Sequence, residues 1–422
     1  MTSPGGPAVA PNGAVTSPGG PAVAPDGATT AQPAGWRGLW TLPRARLWLV
    51  AGAIAAYLPA LGVPLRGWLD FSAFYAAGAL AFTPDVARLA PIVGYEVAHG
   101  LPPTPFVYPA GLVLLYVPFA WLPYGVAAAL HLLLMLALLF FGAAWGARLL
   151  GLPRRWVMLG ALAWGPAAAG VVSGQNTSLA LLLAIATAAA LLRGSDVLAG
   201  AWSGRLAYKP QLGAPIVGLL VVRPRWKALV VVAVAIGVQY LAGVLATGGN
   251  WAWPRDWLDT VNAYTAADFH DNGWQAISLP ALGTRLELVT GIPWLTALGY
   301  LAGAAIVAAC LPALRRLPAL DAVALACACG LVISPHAWVY DATLLLPALG
   351  VLAARAARRG WPWRDRWLFA GAFAIGLTWP LGGFVGLTLV PVLVLCIPFA
   401  LLEWGPFRVA LPTAPSGARS TA

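Results

Sequence analysis

The chain has 422 residues, of which 60% are hydrophobic and 9% charged, with a formal net charge of +11 and a mean hydropathy of +0.79. A soluble domain carries about 25% charged residues, so this sequence cannot clothe a water-facing surface. The positive charge does not signal nucleic-acid binding, because the arginines sit in short clusters between apolar runs, as cytoplasmic loops of membrane proteins place them.

Residues 1–34 hold a repeat, TSPGGPAVAP at 2–11 returning at 16–25. Gly, Pro, Ala and Ser cannot build a core, so this segment reads as a disordered cytoplasmic tail. It is polar, and no cleavable signal peptide is expected. Apolar runs then fill the chain, and spanning a bilayer takes about 20 such residues per helix. The first span is expected over 47–63. Others follow near 107–122, 125–149, 156–172, 176–192, 206–222, 227–247, 294–312, 319–333, 338–354, 367–379 and 384–402. The period-two alternation of a barrel is absent. The expected fold is an all-α polytopic membrane protein with roughly 10–13 transmembrane helices over 35–408, followed by a cytoplasmic tail at 409–422.

Two polar stretches, 64–106 and 248–291, interrupt the apolar pattern. They contain Asp70, Asp85 and Glu96, and Asp256, Asp259, Asp268, Asp271 and Glu287 respectively, and read as external loops. Arg223-Pro-Arg225-Trp-Lys227, Arg315-Arg316, Arg355/Arg358/Arg359 and Arg408 read as cytoplasmic. Counting crossings leaves Arg148, Arg154 and Arg155 on the wrong side. One broken segment, either 107–122 or part of 172–222, is therefore expected to re-enter rather than cross.

Several polar residues stand out against this background. Asp70 lies just after the first span, where a carboxylate is costly unless paired or used. It reads either as a solvated interfacial acid, paired with Arg66, or as a general base taking a proton from a hydroxyl; Phe74 and Tyr75 offer ring surface nearby. Tyr108, before Pro109, suits an aromatic belt at the interface. Gln175 and Asn176 either cap a helix or face a polar cavity. Lys209, amid apolar residues and before Pro210, calls for an anion, with a phosphate as one candidate. Ser334-Pro-His336-Ala-Trp338-Val-Tyr340-Asp341 falls on the same side as Asp70. His336 there is either a loop residue or a donor to a leaving phosphate. His131 reads as packed, while Trp251, Trp253, Trp257 and Trp274 read as an interface belt or a sugar-stacking surface. Cys310, Cys327, Cys329 and Cys396 lie in apolar spans with no metal or disulfide spacing. HExxH, Walker and GxSxG motifs are also absent, which disfavours soluble-enzyme chemistry and ATP-driven transport.

The motifs DFSAFYAAG (70–78), FVYPA (106–110), SGQN (173–176), YKP (208–210) and SPHAWVYD (334–341), in that order, resemble glycosyltransferase family 87. The resemblance implies the GT-C membrane fold and a polyprenyl-phosphate-linked sugar donor, usually mannose. It also implies metal-independent, cofactor-free inverting transfer to a lipid or glycan hydroxyl on the non-cytoplasmic face of the bacterial inner membrane. Asp70 would be the catalytic base, and His336 and Lys209 the contacts to the donor phosphate. Tyr75, Tyr108, Gln175, Asn176 and Tyr340 would line the substrate cavity. Ala110 departs from the family, which tends to carry a second proline there. The rival readings are a transporter or flippase of lipid-linked sugars and an arabinosyltransferase of the same fold. Transporters commonly show internal repeats, and none is visible in the spans.

Overall fold

The computed structural model describes the backbone of residues 50–54, 57, 69–378 and 384–403. The expected tails, most of the first span and Arg66 lie outside the described residues. Within them the chain is helical, apart from turns and one isolated bridge between Ala276 and Trp338. The protein is an all-α polytopic membrane protein.

Two short helices come first, α1 (Leu69–Ala79) and α2 (Leu89–Ala98). The expected span at 107–122 is instead a 3₁₀ turn, Ala110–Leu115, and a single helical turn, Val117–Ala120. Pro109, Pro118 and Pro123 explain this, since each lacks an amide donor and each restrains the residue before it. Then come α3 (Tyr124–Leu150), α4 (Arg154–Ala163) and α5 (Gly165–Val172), the last two bent by 67° at Trp164. The series continues with α6 (Thr177–Leu192), α7 (Asp196–Arg205), α8 (Pro210–Val222) and α9 (Trp226–Ala246). The second polar stretch holds α10 (Trp253–Asn272) and α11 (Leu279–Thr290). The chain then passes through α12 (Leu295–Arg316), α13 (Ala319–Ile333), α14 (Leu346–Arg358), α15 (Trp363–Thr378) and α16 (Phe384–Leu401). Among the described residues, α3, α9, α12 and the run Val339–Arg358 are long and apolar enough to cross a membrane. The bent pair α4–α5 adds a fifth if it counts as one span, and shorter apolar helices of 10–17 residues accompany them.

These helices run between two ends with different chemistry. At one end, Arg223 of the α8–α9 link donates to the carbonyls of Leu314 and Leu317 at the end of α12. Arg225 pairs with Asp196 at 3.3 Å. Arg355 pairs with Asp321 at 2.5 Å and donates to the Leu401 carbonyl, joining the ends of α13, α14 and α16. Ala147 and Leu152 pack with Ala354, Ala357 and Trp361, which brings the Arg148–Arg155 link to this same end. The segment 107–122 forms no helix long enough to span a bilayer, and α7, which the sequence pattern hid, runs from the arginine-rich end toward the other. Its Gly200, Ser203 and Gly204 make it resemble a loop, because its packing relies on small residues rather than an apolar stripe.

At the opposite end the helices stop short. The helices α6, α8 and α13 have 16, 13 and 15 residues. At 1.5 Å per residue they reach roughly 20–24 Å, against a hydrocarbon core of about 30 Å. They are therefore too short to reach from one membrane boundary to the other, and the polar motifs gather at their common end.

Candidate active site

Six separate segments meet at this end. The first is the turn Ser173–Asn176 between α5 and α6. Gly174 adopts φ +80, and a Cβ on it would lie 2.7 Å from the Phe71 Cβ. Only glycine allows both the left-handed backbone and this approach. The start of α1 thus comes close enough for the Asp70 amide to donate to the Ser173 carbonyl at 3.0 Å. Below the turn, His131 Nε2 bonds the Gly174 carbonyl at 2.9 Å while its ring stacks on Phe71 at 4.8 Å. His131 is thus packed, and it supports the turn. Gly174→Ala should introduce about 1–3 kcal/mol of backbone strain as well as the clash. A lowered melting temperature and reduced turnover are expected. If both were unchanged, the turn would not be what positions Asp70.

The carboxyl of Asp70 is half-buried and hydrogen-bonded by the Gln175 and Ser173 side chains. Burial pushes it up to about 6; those two hydrogen bonds and the Lys209 charge pull against the rise, and Asp268 adds to it. Gln175 also accepts from the Tyr108 hydroxyl at 2.5 Å and from Lys209 Nζ at 3.4 Å. Burial first, and then Asp341 and Asp70, hold the Tyr108 phenol well above its ordinary range, so it remains a neutral donor. The loop carrying Tyr108 is anchored at two points. Ser72 Oγ donates to the Pro102 carbonyl at 2.8 Å, and the Thr104 amide donates to Glu96 at 2.8 Å.

Lys209 enters from the α7–α8 link. Pro210 disfavours the helical region for the residue before it, and Lys209 sits at φ −126, ψ 80. Its side chain turns inward, 3% exposed, and pairs with Asp341 Oδ1 at 3.2 Å. Nζ lies 5.4 Å from the Tyr108 ring centre and 5.2 Å from that of Tyr340, so both rings face the cation. The other oxygen of Asp341 accepts the Trp338 amide at 3.1 Å. Lys209 therefore already has a carboxylate partner.

The third cluster surrounds His336. Its Nε2 meets Asp268 Oδ2 at 2.6 Å. Oδ1 of Asp268 accepts from Tyr264 at 3.3 Å and Asn272 at 2.8 Å, one turn before and one turn after it on α10. The His336 segment is pinned to the start of α11 by Ser278 donating to the Ser334 carbonyl at 2.7 Å and by the Ala276–Trp338 bridge.

The structure brings Asp70, Gln175, Tyr108, Lys209 and Tyr340 into one electrostatically coupled group, with His336 attached through Asp268. Asn176 is fully buried, and its carbonyl accepts from Tyr208 at 3.0 Å. Tyr75 points elsewhere, its hydroxyl bonded to the Leu122 carbonyl at 2.8 Å and its ring edge-on to Tyr124. The tryptophans divide. Trp253 and Trp257 spend their indole N–H groups on the carbonyls of Tyr240 and Val107, while Trp251 and Trp274 are exposed. Sequence reasoning missed Asp268 and Asp341 as partners of His336 and Lys209. Asp268 had a legible signal, the i, i+4 series Tyr264, Asp268, Asn272, once 253–272 is read as a helix rather than a loop. An apolar cleft of about 130 Å³ between α3, α4, α14 and α15 is lined by residues such as Leu150, Trp156 and Phe369. It contains no titratable group, so proton transfer belongs to the polar cluster.

A family model, that of glycosyltransferase family 87, matches residues 106–335. The chain belongs to glycosyltransferase family 87. No curated protein and no solved structure matches it. The match covers Tyr108, Gln175, Asn176, Lys209 and Asp268 of this glycosyltransferase, whereas Asp70, His336, Tyr340 and Asp341 lie beyond its limits.

Proposed function

We propose that this glycosyltransferase moves a hexose, mannose first among the candidates, from a polyprenyl-phosphate donor to a hydroxyl of a lipid or glycan acceptor. Asp70 is the general base. It takes the proton of the acceptor hydroxyl as that oxygen bonds to C1, while the bond from C1 to the phosphate oxygen breaks and the electron pair leaves with the lipid phosphate. Attack opposite the leaving group inverts the anomeric carbon. His336 donates to the departing phosphate, and a histidine held by Asp268 is oriented for that task. Lys209 has its charge met by Asp341, so its part is to stabilise ionised Asp70 and orient Gln175, with phosphate contact a secondary role. Tyr108 and Gln175 line the acceptor side, with Asn176 and Tyr340 behind them and Tyr75 outside the immediate cluster.

The reading rests on Asp70. It is a half-buried carboxyl poised near 6 and next to a buried cation. A base is most effective with a pKa near the working pH. The arginine-rich helix ends favour the cytoplasmic side, and the site at the opposite ends then faces away from the cytoplasm. Incubating the purified protein with radiolabelled polyprenyl-phosphate-mannose and a lipid extract is expected to yield a labelled glycolipid and free polyprenyl phosphate. Labelled product from an arabinose-charged donor alone would reassign the sugar. Movement of intact donor across vesicles without any product would favour a flippase.

A further inference from the structure

The side chain of Arg205, at the end of α7, is exposed and has no hydrogen bond, ion pair or ring contact among the described residues. Its position is built into the packing. A Cβ on Gly200 would lie 2.3 Å from the Ala228 carbonyl oxygen, and one on Gly204 would lie 2.7 Å from the Ala235 Cβ. Gln239 Nε2 adds a hydrogen bond to the Gly204 carbonyl at 2.8 Å. This glycine face locks α7 against α9. Leu198, Trp202 and Arg205, spaced i, i+4 and i+7, then share the opposite face, and all three are exposed.

The depth of Arg205 is unusual for a free cation. Its neighbour Gly204 abuts Ala235, and from Trp226 to Ala235 the helix rises ~14 Å of a total of ~31 Å. The outer surface of α9, the helix packed on the other face of α7, is apolar, with Val234, Val238 and Leu241 exposed. A guanidinium facing hydrocarbon at mid-depth is costly and marks a functional site unless an anion meets it. Phospholipid headgroups stay at the membrane boundary. From Arg205 the chain runs through the turn Leu206–Tyr208 directly into Lys209 of the catalytic cluster.

We propose that Arg205 is a lateral clamp for the phosphate of the lipid-linked donor, with the polyprenyl chain lying along the outer faces of α7 and α9. The proposal rests on the polyprenyl-phosphate reading above. It supplies the cation that Lys209, already paired with Asp341, does not offer to the membrane. A planar guanidinium suits the task because it can give two parallel hydrogen bonds to a phosphate.

Binding of a long-chain polyprenyl phosphate to the full-length protein in phosphatidylcholine nanodiscs tests this, read by native mass spectrometry and by tryptophan fluorescence. Arg205→Gln is expected to weaken binding at least tenfold, with Arg205→Lys intermediate and both melting temperatures unchanged. Equal binding by wild type and Arg205→Gln would overturn the clamp while leaving the donor reading intact. Failure of the wild type to bind would remove the donor reading and the clamp together. Displacement of polyprenyl phosphate from the wild type by equimolar phosphatidylglycerol would mark a headgroup site and overturn the assignment.

Discussion

Asp70→Asn is expected to lower transfer by about 10²–10⁴-fold, the range general-base catalysis contributes, without lowering the melting temperature. Asparagine keeps the size of the side chain and a hydrogen-bonding oxygen, but cannot accept the proton. The stability expectation follows from the direction of the shift. Burial raises the carboxyl from 3.8 to about 6 in the fold, so the folded chain favours the neutral form. The stability contributed by that neutral form is full below 3.8 and is lost as pH rises through about 6. A permanently neutral asparagine removes this loss, so the variant should be as stable as the wild type or slightly more so at neutral pH. The catalytic pH dependence runs the other way. The base works only when ionised, so wild-type kcat/KM should plateau above about 6 and fall tenfold per pH unit below it. A flat acid limb down to pH 4, or an Asp70→Asn enzyme that turns over normally, would remove Asp70 from the mechanism.

The membrane class and most helices were legible because spanning segments are long apolar runs, and α3, α6, α9, α13 and α16 lie within a few residues of their expected limits. What escaped was set by packing rather than hydropathy. The helix α7 is hidden because Gly200 and Gly204 are there to meet the backbone of α9, and no scale of apolarity registers that. The segment 107–122 is apolar enough to span, yet its prolines break it into turns. In the site, each cationic residue stood out as anomalous for its surroundings, whereas its partner did not. Lys209 in an apolar run demands an anion, but nothing in the sequence says that Asp341, far along the chain, supplies it. Asp268 is one acid among several in its stretch until the helix places Tyr264 and Asn272 on either side of it. Tyr75 shows the converse. It follows Asp70 closely in sequence, but the helix turns its hydroxyl toward Leu122.

The second large effect is expected at the Lys209–Asp341 pair, where stability and catalysis should separate. Both side chains are almost fully buried, and removing one partner of such a pair strands the other charge, at a cost of about 3–5 kcal/mol. Lys209→Met and Asp341→Leu should each lower the melting temperature severely. Replacing both at once, as Lys209→Met/Asp341→Leu, removes both buried charges. Its stability should return close to the wild-type value, since well-packed apolar replacements of buried pairs are often neutral or stabilising. Activity should not return with it. Lys209 is one of the influences holding the Asp70 carboxyl down against burial, and without it the acid limb of kcat/KM should move above pH 6. Gln175 would also lose the ammonium at 3.4 Å that helps fix its amide beside Asp70. The measurement is therefore a double-mutant cycle read twice, once by thermal unfolding and once by the pH profile of transfer. A double variant that recovers both stability and the wild-type acid limb would show the pair to be purely structural. Recovery of stability with a displaced limb assigns Lys209 to the tuning of the base.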